Sequence, residues 1–139
     1  MSEQLDNILM TTGFIKAKFP KNFKPALAII SERNFEFPLG FKILGEISFD
    51  SLFAHSKNLM RNAGKVLFTK CEGKDVLIYK GRFHYFGGVS MREIGHMIYV
   101  LRYLGIDKII SIDEVAHLNP RFKCGELALI YDHINLIGD

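Results

Sequence analysis

Arg82 and His84 stand two residues apart within Gly81-Arg82-Phe83-His84-Tyr85-Phe86-Gly87-Gly88, directly after an apolar run. In an extended segment alternate residues face the same side, so a guanidinium and an imidazole converge there while Phe83 packs behind them. Arginine offers a planar fork of donors and histidine a donor with a tunable charge, a pairing suited to a phosphate or similar oxyanion. The flanking glycines let backbone approach a ligand closely. The same residue types also occupy strand edges and turns that bind nothing, so the rest of the chain must weigh the two. Asp132 and His133 offer an acid and a base, but strand neighbours point to opposite faces, and a local hydrogen bond or turn is the expected role. Cys71 and Cys124 are isolated and the five histidines are scattered, so no metal centre is expected and the thiols suit a reducing compartment.

The elements that position Arg82 and His84 follow from periodicity. Asp75 to Lys80 and Lys65 to Lys70 are apolar runs joined by Cys71-Glu72-Gly73-Lys74, which predicts an antiparallel hairpin whose second strand delivers Arg82 and His84 at its carboxyl end. Open α/β sheets hold their ligands at such ends. Ser90 and Glu93 form a capping box, and Met91, Ile94, Met97, Ile98, Leu101 and Leu104 mark one face of a helix stopping at Gly105. Upstream, Leu5, Ile8, Leu9, Thr12 and Ile15 predict a helix over residues 3 to 16, weakened at its end by Gly13. Pro20 and Pro25 break the chain before Ala26 to Ile30, a short strand covered on both faces. Residues 32 to 45 read as a long irregular link, with a strand near Glu46 to Phe49. Lys108 to Ile112 reads as a strand, Asp113 to Pro120 as a second ligand-facing loop, and Leu127 to Tyr131 as the last strand.

At 139 residues the chain is expected to be a single domain, 1–139, of α/β class with a mixed β-sheet flanked by helices. Its 48% hydrophobic and 24% charged residues indicate a globular protein without a membrane span. The net charge of +3 is dispersed, and the densest cluster, Lys16, Lys18, Lys21 and Lys24, flanks Pro20 and Pro25 as a solubilised loop, so no nucleic-acid partner is expected. Met1 to Asp6 is acidic and polar, unlike a secretory signal, and a cytoplasmic location is expected.

Four segments in order, Ala26 to Ser31 (ALAIIS), Asn62 to Phe68 (NAGKVLF), Gly81 to Tyr85 (GRFHY) and Leu118 to Leu136 (LNPRFKCGELALIYDHINL), resemble purine nucleoside phosphorylase of the trimeric, six-oxopurine-preferring type. The resemblance implies the first half of that phosphorylase fold, and a reaction in which phosphate cleaves the N-glycosidic bond of a purine nucleoside. By the same resemblance Arg82 and His84 match the phosphate-binding Arg and His, and Arg33 falls at the serine of a phosphate loop that here reads Ser31-Glu32-Arg33-Asn34-Phe35-Glu36. Tyr85, Phe86, Glu114 and Val115 fall on the nucleoside side, with Phe86 where the family has a second tyrosine. Asn62 replaces a loop histidine, and Asp113 to His117 replaces a loop of Asn, Ala and Gly. Glu32 sets a carboxylate where the family exposes backbone donors, and Arg33 can meet phosphate or pair with Glu32, Glu36 or Asp113.

The family's base-reading residues have no counterpart here. The resemblance therefore leads us to expect a shortened, catalytically incompetent relative, with a residual anion site, acting in a homo-oligomer (a trimer by resemblance) or beside a complementary phosphorylase chain. The alternative is an active phosphorylase or nucleoside hydrolase completed by a neighbouring subunit. No cofactor is expected, with phosphate as ligand or co-substrate and a purine nucleoside as the other ligand.

Overall fold

The computed structural model describes residues 3–52 and 64–136. Helix α1 (Glu3–Ala17) is followed by β1 (Leu27–Ser31), β2 (Phe41–Ser48), the short α2 (Phe49–Leu52), β3 (Lys65–Cys71), β4 (Lys74–Lys80), a 3-10 turn at Tyr85–Gly87, α3 (Met91–Tyr103) and β5 (Lys108–Ser111). The strands form one mixed sheet in the order β2-β3-β4-β1-β5. β1 runs parallel to β4 and β5 on either side of it, while β2 and β3 pair antiparallel toward the far edge.

Local chemistry explains most boundaries. Glu72 and Gly73 both take positive φ, 49° and 80°, so the hairpin turns in the two residues between Cys71 and Lys74, as its composition predicted. Ser90 Oγ accepts from the Glu93 amide at 3.2 Å, and the Ser90 amide donates to Glu93 Oε2 at 2.9 Å, completing the capping box on α3. At the other end Gly105 sits at φ 85°; its amide donates to Arg102 O and that of Ile106 to Leu101 O, both at 3.0 Å, a Schellman closure.

Side chains from α1, α2 and α3 pack on one face of the sheet, where Ile8, Ile15, Phe49, Met97, Val100 and Leu101 meet Ala28, Val66, Phe68, Leu77 and Tyr79. Each large side chain so buried contributes roughly 1.5–3 kcal/mol. The other face carries Ile29, Leu67, Val76 and Ile78, and among the described residues loop and strand-end side chains such as Phe37, Phe41 and Ile112 cover it.

Several expectations are corrected. The link expected over residues 32 to 45 is a strand from Phe41 onward, because Phe41 pairs with Cys71 and Ile43 with Thr69 before the register slips between Ile43 and Gly45. That bulge breaks the alternation by which a strand is recognised in sequence. Leu127 to Tyr131 is not a strand: it forms no ladder among the described residues, and Leu127, Leu129 and Tyr131 are 98%, 97% and 99% exposed. A strand needs a neighbour for its backbone donors and acceptors, whatever its side chains favour. Leu9 and Ile98, expected in the core, are 40% and 44% exposed, whereas Thr11 and His96, which belong to neither expected stripe, are buried. Thr11 Oγ1 and His96 Nε2 lie 3.1 Å apart, a polar contact joining α1 to α3 within the apolar layer.

Candidate functional site

Because β1, β4 and β5 are parallel and adjacent, the loops that follow them open on the same end of the sheet. There they enclose a cleft of about 600 Å³ lined by Glu32, Arg33, Asn34, His84, Phe86, Asp113 and Glu114. Gly81, at φ 132°, turns the chain out of β4, and its amide donates to Ser31 O at 2.9 Å. That conformation favours glycine and sets the direction in which Arg82 leaves the sheet.

Arg82 is the hub of the three loops. Its Nη2 donates to Ser111 Oγ at 2.6 Å and to the Ile112 carbonyl at 2.8 Å. Its Nε lies 3.3 Å from Glu32 Oε1 and its Nη1 3.6 Å from Asp113 Oδ2. The Glu32 contact is a charge contact, since neither Nε nor Oε1 has a hydrogen-bond partner among the described residues. The cation is thus enclosed by two carboxylates, a hydroxyl and two carbonyls, the second being Ile30 O at 3.5 Å, and its side chain is 19% exposed.

His84 joins the same network: its Nε2 lies 3.6 Å from Glu32 Oε2, and its ring stacks on Phe86 with centroids 4.7 Å apart. Phe83, between the two, is buried against Phe49 with ring centroids 5.3 Å apart, so the alternation of Arg82, Phe83 and His84 is as the sequence indicates. Arg33 lines the cleft but forms no ion pair among the described residues. Of the residues expected on the nucleoside side, Phe86 and Glu114 line the cleft, while Tyr85 and Val115 are exposed outside its lining. Asn62 lies outside the described residues.

Three carboxylates and one guanidinium line the cleft, with Arg82 behind them. Such a surface presents acceptors more than donors, the reverse of an oxyanion cradle. Sequence reasoning missed Ser111 and the Ile112 carbonyl as partners of Arg82. Asp132 keeps the local role expected of it, accepting from the His133 amide at 2.8 Å.

The fold and cleft define an α/β protein that gathers its cleft-lining side chains at the carboxyl ends of parallel strands, the place where open α/β sheets hold ligands. In sequence and fold the chain is similar to purine nucleoside phosphorylases. Purine nucleoside phosphorylase 1 of Bacillus subtilis is 29% identical over 140 residues, covering 96% of this chain and 49% of the relative. Purine nucleoside phosphorylase of Rattus norvegicus is 35% identical over 77 residues, 55% of this chain and 27% of the relative. The crystal structure of Schistosoma mansoni purine nucleoside phosphorylase, complexed with a novel monocyclic inhibitor, superposes with a TM-score of 0.69 at 19% identity, covering 88% of this chain and 45% of that one. No family model matches the chain. The chain spans half or less of the length of these relatives.

Proposed function

We propose that this chain is a phosphorylase-like protein that does not itself carry out phosphorolysis and acts as an oligomer or as the partner of a phosphorylase chain. The arrangement around Arg82 carries the reading. A phosphate entering the cleft must displace Glu32 and Asp113 from the guanidinium or sit beside them. Two unit charges about 4 Å apart at an effective dielectric of 20 interact by about 4 kcal/mol, an upper bound at such partly exposed side chains. Each carboxylate therefore opposes an oxyanion by a large part of what the arginine offers it. The exposed leucines and tyrosine from Leu127 to Tyr131 support the partner role, because so much apolar surface in water favours association. A trimer and a cytoplasmic setting are proposed with this reading, as is independence from any cofactor beyond phosphate.

The test is direct. Purified protein given inosine or guanosine with phosphate is expected to release no hypoxanthine or guanine. Phosphate-dependent release that Arg82→Ala abolishes would overturn the proposal.

A second reading, an active phosphorylase or hydrolase completed by a neighbouring subunit, is favoured by one observation: its relatives are named as phosphorylases. Arg82 and His84 would then hold phosphate or orient water while the purine departs, with the remaining groups supplied across an interface. Calorimetric titrations separate the two. Mutually enhanced binding of phosphate and nucleoside belongs to the enzyme, and its absence to the non-catalytic protein.

A further inference from the structure

A second opening, of about 250 Å³, lies beside the first and is lined by Arg33, Glu46, Ser48, Gly64, Lys65 and Lys80. Arg33 belongs to both. Sheet register explains the rest. Ser48 stands opposite Lys65, Lys65 opposite Lys80, and Lys80 beside Ser31, so one row crosses four strands at the carboxyl end of β1 and β4. Alternation puts this row on the face opposite the described helices, because Tyr79, Val66 and Ile47, one residue earlier or later, pack in the helical layer.

Two ammonium groups directly opposite in an antiparallel pair start from β-carbons about 4.5–5.5 Å apart and repel. Glu46 Oε2 answers one of them, at 2.8 Å from Lys65 Nζ. Lys80 and Arg33 have no carboxylate partner among the described residues. Ser31, the end of the row, is fully buried, and its hydroxyl has no hydrogen-bond partner among the described residues. A buried donor without an acceptor beside an unneutralised lysine is unusual in a folded protein. The lining holds three cations against one carboxylate, opposite in balance to the first cleft.

We propose that this side cleft binds a phosphate-class oxyanion, with Lys80 and Arg33 as its main cationic contacts, Lys65 as a third shared with Glu46, and the Ser48 hydroxyl as a donor. The first cleft has turned its arginine inward onto carboxylates; the charge available to an outside anion lies one strand further along. Lysines meet phosphate as point charges and arginine as a fork, so the set suits a compact tetrahedral anion, free or as a monoester. The site stands whether or not the chain is a catalyst.

Titration of the labelled full chain with inorganic phosphate, followed by amide chemical shifts at constant ionic strength, tests this. Shifts are expected at Ser48, Gly64, Lys65 and Lys80, saturating in the millimolar range. Lys80→Gln should weaken binding at least fivefold, and Glu46→Gln should strengthen it two- to fivefold, a gain that loss of structure cannot imitate. Ribose 5-phosphate in a parallel titration distinguishes the sources: tighter binding than phosphate at the same amides assigns a monoester, equal binding the free ion. Shifts confined to Glu32, His84 and Asp113, no saturable shift up to tens of millimolar, or an affinity indifferent to both substitutions would overturn the proposal.

Discussion

Arg82 has the residue type and the strand-end position of a phosphate ligand, yet its Nη2 donates to Ser111 Oγ and the Ile112 carbonyl, and two carboxylates stand against its other nitrogens. If Glu32 restrains the arginine as proposed, Glu32→Gln should raise phosphate affinity at Arg82 about tenfold, read as new shifts at His84 in the same titration. Solvent screens Glu32, whose side chain is 29% exposed, so its effect falls below the bare Coulomb value. An unchanged affinity would mean that Asp113, Ser111 and the Ile112 carbonyl hold the guanidinium without Glu32. Tyr79 poses a separate question. It is buried beneath Phe49, its hydroxyl has no hydrogen-bond partner among the described residues, and burial pushes its phenol pKa far above the ordinary value. A folded-state pKa above the unfolded one of about 10 means the stabilisation is complete below that pH and is lost as pH rises through and beyond it. Tyr79→Phe should therefore stabilise the protein by about 1 kcal/mol at neutral pH, since an unpaired buried hydroxyl is removed. It should also flatten the fall in stability above pH 10 relative to the parent, as measured by urea unfolding at several pH values. That Arg82 and His84 both meet Glu32 from one side was legible because alternation along the extended segment after β4 fixes it. The carboxylates that meet Arg82 were not, because they arrive from the loops after β1 and β5, and the sheet order that makes those loops neighbours is not a local property.

Among the elements, those specified by local chemistry were legible and those specified by a partner were not. The capping box on α3 is written in Ser90 and Glu93, and Ser90→Ala should cost about 1 kcal/mol in chemical unfolding, with the sheet retained. The hairpin is written in Glu72 and Gly73. By contrast β2 exists from Phe41 because β3 offers it an edge, and the irregularity after Ile43 disguises it. Gly64 belongs to the same junction: the Phe49 amide donates to its carbonyl at 2.9 Å, and an added Cβ would lie 2.5 Å from Phe49 Cε2. Gly64→Ala should therefore displace the Phe49 ring and destabilise the chain by about 1–3 kcal/mol. If thermal unfolding moves by less than a degree, Phe49 rearranges freely, and the packing of α2 on β3 and β4 is looser than the contact indicates.

Across the whole molecule the sheet is unevenly finished. Among the described residues β5 is its outer strand on one side, and all four of its residues are exposed. Leu127, Leu129 and Tyr131 follow in sequence, almost wholly in water. An outer strand with open backbone groups and an apolar segment without a ladder are each unfavourable alone and complementary together, and both are satisfied when chains associate. The proposed oligomeric or partner role then makes a definite statement about concentration. Sedimentation velocity from one to a hundred micromolar should show the chain shifting to a larger species, and Leu129→Lys combined with Tyr131→Lys should hold it as a monomer. Thermal stability of the dilute monomer should be unchanged by the pair, because these side chains are 97% and 99% exposed in the single chain. A fall in Tm for the dilute variant would show instead that the segment packs within its own chain, where it would supply the last strand that its composition predicts. The sequence carries the propensity of this segment to be a strand; which backbone completes it is decided by what stands beside β5, which the concentration series and the paired variant read out.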